Sequence, residues 1–204
     1  GAVRNEAGTL TLQGSSKQYA KLYNNIATEF GGAVFNRGGS LTIRYAEFGS
    51  ESTEKDMYGN DAYMGGAIYT IGTNATIKNT YFTENVADAK GGAVYTGAKT
   101  TVSASTFKGN ESMYGGAMYV AATPDKKITV NVTSDNFYNN KATDSDGELY
   151  DGGAIYVESG NVTINKSNFG SANANASDGN IAQRGGAVYN ASSTDYLNNT
   201  YNVT

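Results

Sequence analysis

Gly65-Gly66-Ala67-Ile68-Tyr69 is one of six closely matching pentapeptides, the others being Gly31-Gly32-Ala33-Val34-Phe35, Gly91-Gly92-Ala93-Val94-Tyr95, Gly115-Gly116-Ala117-Met118-Tyr119, Gly152-Gly153-Ala154-Ile155-Tyr156 and Gly185-Gly186-Ala187-Val188-Tyr189. Gly1-Ala2-Val3-Arg4 reads as a seventh copy with one glycine missing and an arginine in the aromatic slot. First glycines at 31, 65, 91, 115, 152 and 185 are separated by 34, 26, 24, 37 and 33 residues. A period of that size marks a repeat architecture, in which each unit buries its apolar face only by stacking on the next.

Two more elements keep step with the glycines. Leu10-Thr11-Leu12, Leu41-Thr42-Ile43, Ala75-Thr76-Ile77, Thr100-Thr101-Val102, Ile128-Thr129-Val130 and Val162-Thr163-Ile164 alternate apolar and polar residues. That is the period of a strand with one buried face, and it puts the threonines outside. A phenylalanine followed three places on by asparagine comes next: Phe82 and Asn85, Phe107 and Asn110, Phe137 and Asn140. Phe48 and Phe169 hold the same position without that asparagine, and Leu22 to Asn25 is a looser version. First glycine and phenylalanine are 17, 17, 16, 22 and 17 residues apart, so length variation falls mainly between the phenylalanine strand and the next glycine pair.

Three short strands per period, stacked so that like strands pair in parallel, make an all-β protein. The expected fold is a right-handed parallel β-helix of about seven coils, forming one domain over residues 1–204. The glycine pair serves either a positive φ or a close approach of neighbouring backbones. Alternation then turns Val3, Val34, Ile68, Val94, Met118, Ile155 and Val188 inward, and the alanines and aromatics outward, in keeping with Arg4 in the aromatic column.

Composition narrows the function. Fifteen basic and nineteen acidic residues leave a net charge of -4 with no basic stripe, which argues against a nucleic-acid partner. The absence of cysteine and histidine removes thiolate chemistry, the commonest metal ligand and the usual neutral-pH base. No apolar run is long enough to insert in a membrane. Starting inside a repeat, the chain reads as a segment of a longer protein.

Tandem Gly-Gly-Ala-aliphatic and Phe-x-x-Asn tetrapeptides along one chain resemble the polymorphic outer membrane proteins, whose autotransporter passengers carry both; the resemblance covers essentially the whole chain. It implies a secreted or cell-surface adhesive β-helix without catalytic residues. The chain differs in having no cysteine.

Candidate sites each carry a plainer alternative. Phe35, Tyr69, Tyr95, Tyr119, Tyr156 and Tyr189 form an aromatic column that is either a platform for a partner or a ladder stabilising its own sheet. The column Thr11, Thr42, Thr76, Thr101, Thr129 and Thr163 is either a hydroxyl lattice that orders water or ordinary strand residues. Asp144, Asp146, Glu148 and Asp151 crowd one loop as a possible calcium site or as solvated acids. Asn85, Asn110 and Asn140 read as an internal amide ladder.

The leading function is therefore a non-catalytic adhesin that contacts a host or neighbouring cell-surface protein or glycan. End-to-end self-association of a structural subunit is the second reading. A polysaccharide lyase or glycosidase is the third, resting on fold analogy alone.

Overall fold

A computed structural model describes residues 1–50, 59–121, 127–170 and 177–191. Among these residues every regular element is a strand and every strand pairing is parallel, apart from isolated antiparallel bridges at Ser15–Gln18 and Thr143–Leu149. The strands stack into sheets as a parallel β-helix requires. One seven-stranded sheet gathers the glycine motifs in strict register: Val3–Asn5, Val34–Asn36, Ile68–Thr70, Val94–Thr96, Met118–Val120, Ile155–Val157 and Val188–Asn190. A ten-stranded sheet holds both the threonine and the phenylalanine strands, which run on without a break in Ser40–Phe48 and Asn74–Thr83.

Between the two halves of that sheet the chain turns a corner at Tyr45, Asn79, Ala104, Ser134 and Lys166, all with φ between 51° and 59°. Asparagine adopts that left-handed conformation at little cost, whereas a tyrosine is strained there.

A third, five-stranded sheet was not foreseen. It comprises Ile26–Phe30, Asp61–Met64, Val86–Lys90, Glu111–Ser112 and Lys141–Ala142, and it lies in segments expected to be variable loops. The expectation of three strands per period is thus corrected by a further strand ahead of the glycine pairs at 31, 65, 91, 115 and 152, with, among the described residues, only isolated bridges at Ile181 and Arg184 ahead of the pair at 185. Its inward residue is small: Ala62, Ala87, Ser112 and Ala142 are buried two places after Asn60, Asn85, Asn110 and Asn140.

The core is a set of columns. Val34, Ile68, Val94, Met118 and Ile155 are wholly buried, as expected, and Val3 and Val188 pack against them. Phe48, Phe82, Phe107 and Phe137 stack with centroids 5.1, 4.6 and 4.7 Å apart, and Phe169 adds a further ring at 4.8 Å. The threonine strands face as expected, with one correction to the column. Thr101 pairs with Asn131, not Thr129, because Val130-Asn131-Val132 is the stretch that aligns with Thr100-Thr101-Val102.

The alanines of the glycine motif do not face out. Ala33, Ala67, Ala93, Ala117 and Ala154 are completely buried. The strand begins only at the following residue, so strand alternation does not reach the alanine. Each alanine sits in the bend, where its carbonyl accepts two backbone N–H groups: Ala67 O takes those of Ala33 and Val34 at 3.0 and 2.9 Å.

The two glycines divide the work. The first of each pair has φ between 60° and 71°. The second has no room for a side chain: a Cβ on Gly92 would lie 2.6 Å from Glu111 N and clash with the Gly116 carbonyl of the adjoining unit.

At the corner, Thr80, Ser105 and Asp135 are buried and Ser167 half-buried in one polar column, in which Ser105, Asp135 and Ser167 each accept a backbone N–H from the preceding unit. Asp135 is the odd member. Fully buried, its carboxylate accepts Ser105 N–H at 2.7 Å and Thr133 N–H at 2.8 Å. Burial pushes its pKa up to about 6 against the pull of those two bonds.

Because the folded pKa exceeds the unfolded one, the protonated side chain's contribution is complete below about pH 4 and is lost as pH rises through 6. Asp135→Ser should therefore flatten a decline of roughly 2–3 kcal/mol between pH 4 and 7, read as the difference in urea unfolding between variant and parent. Identical pH profiles would contradict this.

Candidate functional site

The aromatic column is in register throughout: Arg4, Phe35, Tyr69, Tyr95, Tyr119, Tyr156 and Tyr189 are successive partners in the seven-stranded sheet. The rings project from the outer face of that sheet. Centroids from Phe35 to Tyr156 are 5.7, 4.6, 5.4 and 5.0 Å apart, with planes within 12° of parallel. Parallel rings at that spacing are offset-stacked. Each ring face is therefore turned toward the next ring of the column.

A second column closes over the first. Phe30, Met64, Lys90, Tyr114, Asp151 and Arg184, the residues just before each glycine pair, align with one another. Phe30 packs on Phe35 and Tyr69 with centroids 6.1 and 4.6 Å away, and Tyr114 meets Tyr156 edge-on at 5.2 Å. Lys90 Nζ lies 4.5 Å over the Tyr119 ring and pairs with Glu158 at 3.4 Å. Tyr119 is consequently only 1% exposed. Burial raises the phenol pKa of Tyr119 and Tyr95, and pushes that of Tyr156 up to about 12, so these hydroxyls stay protonated.

Cations lie over both ends of the column, Arg4 at 5.2 Å from Phe35 and Arg184 at 4.9 Å from Tyr189. The arrangement is a packed seam between two sheets. It matches the stabilising-ladder alternative better than a free platform, because ring faces that could stack on a ligand are already stacked on each other.

Beside Phe35 and Tyr69 the seam opens into a recess of about 610 Å³, which Arg4, Arg37, Glu29 and Phe30 also line. Glu6 pairs with both arginines.

The four acidic residues do not converge. Asp144 Oδ1 accepts the N–H groups of Asp146 and Glu148 at 3.0 and 2.9 Å, and its Oδ2 accepts the Tyr150 hydroxyl at 3.1 Å. Burial alone would raise the Asp144 carboxyl, but these bonds outweigh it and hold the group below its ordinary value. Asp151 is committed elsewhere, accepting Arg184 Nε at 2.8 Å and Nη2 at 2.6 Å. Among the described residues no group of three or more acidic side chains is placed to hold a metal ion.

The amide ladder is longer than the sequence showed. Asn25, Asn60, Asn85, Asn110, Asn140 and Asn180 form one chain in which each Nδ2 donates to the next Oδ1 at 2.8–2.9 Å. Asn60, Asn85, Asn110, Asn140 and Asn180 also donate to a backbone carbonyl one unit back, of Leu22, Phe48, Phe82, Phe107 and Phe137. Asn60 and Asn180 were missed because insertions separate them from Phe48 and Phe169. The findable signal was Asn-x-Ala, as in Asn60-Asp61-Ala62 and Asn180-Ile181-Ala182.

Two segments, residues 79–97 and 136–158, match the Chlamydia polymorphic membrane protein repeat. Each runs from a corner residue or strand start through a buried phenylalanine and a ladder asparagine to a glycine motif. A 146-residue stretch, 69% of this chain, is 30% identical to the metabotropic glutamate receptor-like protein R of Dictyostelium discoideum; the chain spans 8% of that protein's length. No solved structure matches the chain. The repeat points in general terms to a protein of the outer membrane or cell surface. The register of columns described above and the two matched segments agree: both segments carry a repeat of the polymorphic membrane protein type.

Proposed function

We propose that this chain is a non-catalytic, secreted or surface-displayed adhesin module, a right-handed β-helix of about seven coils. Its outer faces and loops contact a protein or glycan on a host or neighbouring cell. The observation that carries this reading is how the scaffold treats insertions. Eleven residues separate Phe48 from Asn60, yet Phe48 stays in register with Phe82 and Asn60 takes its place on the amide ladder. A frame that holds its core while its periphery changes length is suited to display binding loops.

Saturable binding of the purified chain to a panel of epithelial and bacterial cells is expected, and should disappear when the chain is unfolded by heat. Equal retention of folded and unfolded chain, or none, would end this reading. Release of unsaturated or reducing ends from pectate, xylan or hyaluronan would overturn its non-catalytic part.

A further inference from the structure

Three tyrosines from three successive units converge on the convex corner of the ten-stranded sheet, away from the seam. Tyr19 stands 5.9 Å from Tyr45 at 81° and 5.5 Å from Tyr81 at 51°. Unlike the column from Phe35 to Tyr156, these rings are not stacked in parallel: Tyr19 meets Tyr45 edge to face, Tyr19 and Tyr45 are half-buried, and Tyr81 is 45% exposed. The corner is also built in an uncommon way. Tyr45 is the bulkiest of the residues with positive φ, in a column otherwise of Asn79, Ala104, Ser134 and Lys166. Tyr19 is carried by a turn that those units lack, closed by Ser15 N–H to Gln18 O at 2.8 Å and Gln18 N–H to Ser15 O at 3.1 Å. Neither feature is needed to stack the units.

The charge around this corner runs against the chain as a whole. Lys17, Lys21, Arg44 and Lys78 are all exposed there, while the net charge of the chain is -4. Glu47 is the near acid, accepting the Tyr23 hydroxyl and pairing with Lys21 at 3.6 Å. Three rings are far less apolar surface than a stable protein partner requires. They suit one or two sugar rings, whose apolar faces stack on aromatics while hydroxyls meet phenol and carboxylate oxygens.

We infer that Tyr19, Tyr45 and Tyr81, with Arg44, Lys78 and Lys21 at their rim, form a binding site for an acidic pyranose of a cell-surface glycan. This rests on the adhesin reading and names its ligand class.

The test is retention of the folded chain on immobilised hyaluronan, chondroitin sulfate and polygalacturonate, with neutral dextran and oligothymidylate as the other arms. Retention on at least one acidic glycan is expected, weakening with salt and absent on dextran. Tyr45→Asn should cut it at least tenfold without lowering the melting temperature, since asparagine relieves the backbone strain. Tyr81→Ser should act likewise, at a site that carries no such strain.

Retention unchanged in Tyr45→Asn and Tyr81→Ser, equal retention on dextran or oligothymidylate, or none on any acidic glycan would overturn the inference. Cell binding that survives both substitutions would remove this site and leave the adhesin reading standing.

Discussion

Gly116→Ala is expected to abolish the cooperative fold or to lower its stability by more than about 4 kcal/mol, a magnitude reserved for severe backbone or core disruption. A Cβ at Gly116 would lie 2.5 Å from Lys141 O and 2.6 Å from Lys141 N, and would overlap the Gly153 carbonyl oxygen. All three atoms are backbone, so no rotamer change relieves the overlap; two units must move apart and break the pairing of Met118–Val120 with Ile155–Val157. Gly147→Ala is the matched control. Gly147 has φ 82° but nothing within 4 Å of its would-be Cβ, so only the dihedral cost of about 1 kcal/mol applies. Circular dichroism and urea unfolding of the two variants would show it, and similar midpoints would refute the division of work between paired glycines.

Asn110→Ala should cost about 4 kcal/mol, measured the same way. The side chain is fully buried and makes four hydrogen bonds. Its Oδ1 accepts Asn85 N–H at 3.0 Å and Asn85 Nδ2 at 2.9 Å, and its Nδ2 donates to Phe82 O at 3.0 Å and Asn140 Oδ1 at 2.9 Å. Truncation strands donors and acceptors on the two flanking units, each costing about 1–3 kcal/mol when buried unsatisfied. Asn110→Asp tests polarity within the same shape. A carboxylate has no donor for Phe82 O and faces the Asn140 oxygen, so this variant should be least stable where the carboxyl is ionised. A loss under 1 kcal/mol for alanine would mean that the ladder is incidental to stability.

Much of this architecture is legible in the residues, because a stacked repeat writes each column out several times. The valine and phenylalanine columns, the outward threonines and the amide ladder follow from periodicity and spacing, since identical neighbours impose identical environments. Alternation failed at Ala33 and its equivalents because it describes strands, and these residues sit one step before the strand starts. The five-stranded sheet was hidden because its strands are as short as Glu111–Ser112 and are announced by a single small residue rather than by a period.

The candidate sites were less readable, for a related reason. Sequence spacing puts Phe35, Tyr69 and Tyr95 in one column but does not say whether the rings lie side by side or overlap. Nor can it bring Tyr19 to Tyr81, which are 62 positions apart and meet only through the corner between the two halves of a sheet. Asp151 illustrates the same limit: in sequence it follows Asp144, Asp146 and Glu148 within one loop, and its partner in space is Arg184.

The amide ladder also has a direction. Every Nδ2 points to the next asparagine and every Oδ1 to the one before, so a unit offers a donor at one side and an acceptor at the other. A stretch of gene encoding one unit, copied in tandem by unequal recombination, would therefore arrive with both of its edges already complementary to the existing ones. Growth and shortening of such a protein need no compensating substitutions, and populations are expected to carry alleles that differ by whole units.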